Sequence, residues 1–267
     1  PRADEHGWQL IWPTWRSFKP KNWRVNPYDH RLYADLFRPT ARYLSGPGKP
    51  WVLATRRWVG EAEALASPPA DGSVVQFRGM EGKFAPFLGQ LELVRGELLA
   101  MTRPEHLAAY RAPRRPPVGI PVRRGDFLRL GDPAAMECMD NTALPIEWYV
   151  AALRAVRARV GETIPARVFS DGTGEELAEL LAEPAVEREE NGSAISDLLA
   201  LSRSRLLIAS GSTFSMWASY LHQVPTLWHP GKLSQRVHLG AGGRESEWAP
   251  ERPLPDWVSR EMMVEEP

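Results

Sequence analysis

The alternation of hydrophobic and polar positions in this chain becomes regular after residue 117. Val118 to Val122 is a short apolar run that reads as a strand. Pro145 to Val160 places Ile146, Tyr149, Val150, Leu153 and Val156 on one stripe at helical spacing. Ala166 to Ser170 reads as a strand. Thr173 opens the next helix, because Glu176 completes a Thr-x-x-Glu capping box and Leu177, Leu180 and Leu181 form its apolar side. Ala185 to Glu189 is a charged candidate strand. Ile195 to Ser202 then reads as a helix, Arg205 to Ser210 as an apolar strand, Thr213 to Gln223 as a helix, and Pro225 to Trp228 as the last strand. Strands and helices alternating at these lengths predict an α/β fold with parallel pairing and right-handed crossovers.

The first part of the chain is less regular. Arg2 to Gly7 reads like the tail of a helix, and Gln9 to Trp12 like a short strand. Pro13 to Pro27 is a loop rich in Trp, Pro and Lys. Arg31 to Phe37 reads as a helix, Trp51 to Thr55 and Val74 to Phe77 as strands. Phe84 to Tyr110 holds one or two amphipathic helices interrupted near Pro104. The run Arg111-Ala112-Pro113-Arg114-Arg115-Pro116-Pro117 is stiff, polar and unable to continue a helix, so it reads as a linker. The expected division is an N-terminal α/β half over 1–112, a second half over 113–235, and a tail over 236–267 that packs back on them. Because the sequence opens at Pro1 without Met, residues preceding it are expected.

Charge changes this picture by exclusion. Lys and Arg total 33 and Asp and Glu total 33, so no global field favours nucleic acid. No apolar run approaches the roughly 18 residues of a membrane-spanning helix. The single cysteine, Cys138, excludes an internal disulfide and a multi-cysteine zinc site, and fits a reducing, cytoplasmic setting. The 11 tryptophans lie mostly toward the two ends, and both core packing and sugar stacking remain open for them.

Parallel α/β sheets bind ligands beyond the carboxyl ends of their strands. Those ends are Arg123-Arg124-Gly125-Asp126, Ser170-Asp171-Gly172 and Ser210-Gly211-Ser212-Thr213. Guanidinium groups neutralise a diphosphate with a fork that never deprotonates. Adjacent strand residues point to opposite faces, so one arginine reaches a phosphate directly unless the turn re-aims the other. An Arg–Asp126 pair holding the loop is the competing reading. The Ser210–Ser215 stretch joins a strand to a helix, where free N–H groups and the helix dipole attract anions; Ser212 and Thr213 read equally as an ordinary N-cap. Asp197 in a first helical turn complements the dipole, or accepts from the N1–H and amino group of guanine. No glycine-rich nucleotide loop, nucleophile elbow, histidine metal spacing or Asp-x-Asp pair occurs, so no metal site is expected.

Taken together these segments resemble a known family. Val118 to Phe127, with Arg123-Arg124-Gly125-Asp126, resembles the His-x-Arg-Arg-Gly-Asp segment of bacterial α-1,2-fucosyltransferases and the related α-1,6- and protein O-fucosyltransferases. Pro145-Ile146-Glu147-Trp148-Tyr149 is similar to their Pro-x-x-Tyr helix start, and Val168-Phe169-Ser170-Asp171 to their Phe-Ser-Asp-Asp strand end. Asp197-Leu198-Leu199 followed by Ile208 to Trp217 is similar to their Asp-x-x-x-Met/Leu and Ser-x-Ser-Thr-Phe-Ser-Trp-Trp block. Ile11 to Trp15 and Tyr33 to Phe37 resemble their N-terminal half. Pro121 stands where the family has histidine, Gly172 where it has a second aspartate, and its glycine-rich N-terminal turn is not found here.

The resemblance implies a GT-B-like fold of two Rossmann-like halves with parallel sheets. It implies inverting transfer of fucose from GDP-fucose to a carbohydrate or other hydroxyl acceptor, without a metal, with no cofactor besides the donor. Residues expected at the reacting centre are Arg123, Arg124 and Asp126. Those expected to hold the nucleotide are Asp171, Asp197, Ser212, Thr213 and Phe214, and Asp29, His30 and Asp35 are candidate bases. The alternative reading is a nucleotide-sugar-binding module of the same fold with impaired catalysis.

Overall fold

A computed structural model describes residues 2–13, 33–67, 69, 72–77, 83–113, 115–125, 142–161, 163–190, 192–240 and 243–263. The chain divides into two compact units, Pro1–Arg103 and Pro104–Pro267. The division falls before the proline-rich linker rather than within it. The reason is a set of contacts that ties the segment after Pro104 to the second unit. The Ser193 hydroxyl meets His106 Nδ1 at 3.1 Å, and Ser196 donates to the His106 carbonyl at 3.2 Å. The Arg203 guanidinium donates to the Tyr110 carbonyl at 2.7 Å and lies over the Tyr110 ring.

In the first unit the described strands pair in parallel twos: β1 (Leu10–Ile11) with β2 (Tyr43–Leu44), and β3 (Trp58–Gly60) with β4 (Val74–Gln76). The expected strand at Trp51 to Thr55 is instead part of the helix Gly48–Thr55. Thr55 Oγ1 donates to the Trp51 carbonyl and Arg56 N to that of Val52, the four-residue spacing of a helix. A four-residue apolar run does not by itself distinguish helix from strand. The interrupted helical region appears as Leu91–Met101 and Ala108–Arg111, joined across Pro104–His106.

The second unit is built on one six-stranded sheet. Its strands are β5 (Val118–Val122), β6 (Ala166–Ser170), β7 (Val186–Arg188), β8 (Leu206–Ala209), β9 (Thr226–Trp228) and β10 (Glu245–Glu247). Every pairing is parallel, and the order across the sheet is β10-β9-β8-β5-β6-β7. Read from β7, this is the 3-2-1-4-5-6 order of a doubly wound Rossmann sheet, whose direction reverses between β5 and β8. The expected α/β architecture with parallel sheets is therefore present.

The apolar stripes give the layers. Tyr149, Val150, Leu153 and Val156 of the helix Ile146–Val160 are buried against Val118, Ile120, Val122, Val168, Ile208 and Leu227. The helices Ala178–Leu181 and Asp256–Met263 pack beside that helix, while Ala194–Leu201 packs with Ala108–Arg111 and Thr213–His222. Leu153, Leu177, Leu180 and Leu206 are fully buried, each worth about 1.5–3 kcal/mol of transfer free energy. Among the described residues no helix is long and apolar enough to cross a membrane.

Pro225 to Trp228 is not the last strand, because the tail contributes β10. Its polar sequence hid it. Glu245 is nevertheless buried, since its carboxylate accepts from the backbone N–H groups of Val237 and His238. Beside it, His238 Nε2 meets the Ser219 hydroxyl at 2.9 Å, which also meets Thr226 Oγ1 at 2.8 Å. Burial pushes the His238 imidazole down from 6.5 to about 4, opposed by a hydrogen bond to the Val224 backbone and reinforced by Arg244.

This buried histidine makes stability pH-dependent. Between pH 6.5 and about 4 the unfolded chain binds a proton at His238 that the folded chain refuses. Stability is therefore full above the upper value and falls as pH drops toward the lower one, by up to about 1.4 kcal/mol per pH unit. Urea unfolding at pH 7 and pH 5 is expected to show a larger acid loss for the native chain than for His238→Gln. Equal losses would contradict the assignment.

Candidate functional site

The ladder between β5 and β8 pairs Val118 with Leu206 and Gly119 with Leu207, and ends there. Pro121 has no N–H with which to extend it. On its other side β5 stays paired with β6 as far as Val122 and Ser170. The sheet thus ends its pairing early at the reversal of strand order, where doubly wound sheets bind their ligands.

Arg123 and Arg124 leave the end of β5 at this point, and the turn after β6 holds both. Asp171 accepts from the Arg124 backbone N–H at 2.8 Å with one oxygen, and its other oxygen lies 3.2 Å from the Arg123 guanidinium. The pair is about one-fifth exposed on each side, so water screens it only partly. Gly172 closes the turn by donating to Ser170 Oγ at 3.0 Å. A Cβ on Gly172 would fall 2.8 Å from Arg124 Cγ, so the missing side chain makes room for the arginine stem. Asp171 therefore acts on the arginines themselves, a role the sequence pattern suggested only for Asp126 within their own loop. Asp126 lies outside the described residues, as do Asp29, His30 and Cys138.

Across the reversal, β8 runs into the helix Thr213–His222 through Ser210-Gly211-Ser212. Ser212 is the N-cap: its hydroxyl accepts from Ser215 N at 3.2 Å and meets Ser215 Oγ at 2.8 Å, and the side chain is buried. The hydroxyl of Ser212 is thus taken up by the cap. The N–H groups of Thr213 and Phe214 have no carbonyl within their own helix, and they carry the positive end of its dipole. Thr213 is exposed and Phe214 half-buried.

Tyr149 lies under this edge, fully buried. Burial pushes its hydroxyl well above the usual tyrosine range, while Ser210 and the Arg124 guanidinium pull the other way. It stays neutral at any physiological pH. The Arg124 Nε is buried and meets no acceptor among the described residues. His229 follows β9 directly, donates through Nδ1 to the Pro230 carbonyl at 2.9 Å, and stacks edge-on with Trp148; burial lowers its pKa. Asp197 sits half-buried in the first turn of Ala194–Leu201, where Ser193 caps Ser196. Asp35 is exposed in the helix Tyr33–Leu36. Among the described residues no group of His, Cys, Asp and Glu side chains is placed to hold a metal ion.

Sequence reasoning named the two loops and quoted Ser170 and Tyr149 as motif positions, but it missed the supporting Arg188. Arg188 donates to the Ser170 carbonyl at 3.1 Å. The signal was present in strand parity, since Arg188 stands in register with Val168 and belongs to the same face of the sheet.

Residues 106–228 match the family model described as Glycosyl transferase family 11. That match covers the reversal, both loops and the strands between them, and it bears out the fucosyltransferase-superfamily resemblance and the glycosyltransferase class. No curated protein sequence matches the chain. Among solved structures, the chain is similar to an α-1,6-fucosyltransferase, NodZ, co-crystallised with GDP, at 16% identity and a TM-score of 0.46, covering 84% of this chain and 85% of that one. A fucosyltransferase NodZ from Bradyrhizobium is similar at 17% identity and a TM-score of 0.44, with coverage of 84% and 85%.

The Ser210–Ser212 turn is fixed by backbone packing. Gly211 has φ +77°, and a Cβ there would lie 2.7 Å from Lys232 Cβ and closer still to the Lys232 carbonyl. Gly211→Ala is expected to cost about 1–3 kcal/mol through strain alone. A thermal midpoint lowered by several degrees in scanning calorimetry checks this. An unchanged midpoint would mean that the turn tolerates the side chain.

Proposed function

We propose that this chain, whose residues 106–228 match the family model described as Glycosyl transferase family 11, transfers a sugar from a GDP-linked donor to a hydroxyl of a carbohydrate acceptor. Fucose is the sugar that the resemblance implies. The observation that carries the proposal is that an arginine pair and a helix N-terminus leave the carboxyl ends of the neighbouring parallel strands β5 and β8. Both stabilise negative charge, and they reach it from adjacent strands.

In the proposed reaction the acceptor oxygen attacks the anomeric carbon from the side opposite the diphosphate. A carbon–oxygen bond forms to the acceptor, and the bond to the β-phosphate oxygen breaks, with its electron pair leaving on GDP. The configuration inverts. The acceptor proton passes to a base, for which Asp29, His30 and Asp35 are the proposed candidates. Arg123, oriented by Asp171, and the N–H groups of Thr213 and Phe214 meet the charge that grows on the leaving group. Fixed donors of this kind need no reorganisation during the reaction, and in many enzymes such stabilisation accounts for most of the rate enhancement. Arg124 is held through its backbone N–H, with its stem against Gly172, and adds a second positive charge. No feature of the site favours the impaired binding module. The setting proposed is cytoplasmic, in keeping with the lone Cys138.

Two arginines and a helix terminus do for a diphosphate what a divalent ion does elsewhere, and a cation placed among them would be repelled. We therefore expect transfer from GDP-fucose to persist in excess EDTA and to disappear in Arg123→Ala. Losing a charge-assisted contact should weaken GDP binding by about 1.5–3 kcal/mol, and transition-state binding by more. Loss of activity with EDTA and recovery with Mg²⁺ or Mn²⁺, or native turnover in Arg123→Ala, would overturn the mechanism.

Asp197 is proposed to read guanine, whose N1–H and amino group form adjacent donors that uracil lacks in that arrangement. A site with a buried acceptor rejects the base that leaves it unpaired. Thermal shifts are expected to be larger with GDP than with UDP or ADP, and the GDP shift smaller in Asp197→Ala. Equal shifts with all three nucleotides would leave Asp197 as a dipole-complementing carboxylate.

A further inference from the structure

The turn Ser170-Asp171-Gly172 is gripped from both sides. Arg123 and the Arg124 backbone hold Asp171 from β5. From β7 the Arg188 guanidinium donates to the Ser170 carbonyl at 3.1 Å, the residue whose hydroxyl accepts from Gly172 N. Arg188 is half-buried, its Nε is buried without an acceptor, and no carboxylate among the described residues pairs with it. The guanidinium thus sits in a partly dry setting with a hydrogen-bonding position unmet.

Around this turn the Arg123, Arg124 and Arg188 side chains gather beside Asp171, while Glu189, next to Arg188, pairs with Arg167. The guanidinium groups are of the sign that complements a nucleoside diphosphate. Partial burial of guanidinium is unfavourable, and an anion bound beside it offsets the cost. The same Arg188 group fixes the carbonyl at the end of β6, and so the height at which Asp171 meets Arg123.

We propose that Arg188 is a positioning residue of the donor site, setting the Ser170–Gly172 turn that aims Arg123 at the diphosphate while adding to the positive field there. The inference rests on the GDP-donor reading of that edge. Arg188 does not touch the reacting atoms. It acts through Asp171 and through the field, so its removal weakens GDP and slows transfer without removing either loop.

Calorimetric titration with GDP at low and moderate salt, paired with donor kinetics, tests this on the native chain, Arg188→Met and Arg188→Lys. Methionine keeps the stem without a donor, and lysine keeps the charge and a donating ammonium without the planar fork. Arg188→Met is expected to raise the GDP Kd about 5- to 30-fold, to lower kcat as well as raise KM, and to flatten the salt dependence. Arg188→Lys is expected to recover most of the loss. Native-like Kd and kcat in Arg188→Met would overturn the proposal. So would a lowered thermal midpoint with Kd and kcat unchanged, since Arg188 would then be a brace of the sheet edge and nothing more. Failure of the native chain to bind GDP would overturn the donor reading and this inference together, whereas native binding with an indifferent Arg188→Met removes only the inference.

Discussion

Two consecutive arginines at the end of a strand point to opposite faces of the sheet, and some other group must decide where each one goes. Asp171 makes that decision. One oxygen takes the Arg124 backbone N–H and the other pairs with the Arg123 guanidinium, so a single carboxylate fixes both the path of the loop and the aim of one side chain. The arrangement works because β6 ends beside β5, in register at Val122 and Ser170, which delivers Asp171 next to Arg123. It also needs Gly172, whose lack of a side chain lets the Arg124 stem lie against the turn. The remainder of the C-terminal unit holds this edge in place: the apolar stripes clamp helices to the sheet, and the ladder between β5 and β8 ends at Gly119.

The electrostatics of the edge follow from the same constraint. Arg123 is compensated by Asp171 but stays partly exposed, and Arg124 and Arg188 have no carboxylate among the described residues. At the end of the neighbouring strand β8, the helix Thr213–His222 offers its first N–H groups after Ser212 has satisfied Ser215. A partly dry edge with guanidinium groups and oriented donors is suited to an anion that gains charge as a bond breaks. Departure of a diphosphate is such an event.

Much of this was legible in the amino-acid pattern. The stripes of Ile146–Val160 and the short apolar runs at Val118 and Leu206 announced a parallel sheet, and the strand-end rule pointed to Arg123, Arg124 and the Ser212 turn. The misses have physical causes. Trp51 to Thr55 is too short a run for periodicity to separate helix from strand. β10 carries Glu-Ser-Glu, and its buried Glu245 is tolerated only because two backbone N–H groups from a neighbouring loop satisfy it, a long-range fact that no local pattern contains. The part played by Asp171 was half legible: its position at a strand end made it a candidate, but its action on the arginines depends on which strands lie side by side. The unit boundary moved from the linker to Arg103 because His106 and Tyr110 bond to residues far along the chain.

The central claim is that the β5–β8 reversal is a diphosphate site built from Arg123 and the first turn of Thr213–His222. A crystal structure of the native chain soaked with GDP tests it most directly. The account predicts the diphosphate between the Arg123 guanidinium and the N–H groups of Thr213 and Phe214, with guanine toward Asp197. Ordered GDP elsewhere on the molecule, or phosphates that contact neither loop, would contradict it.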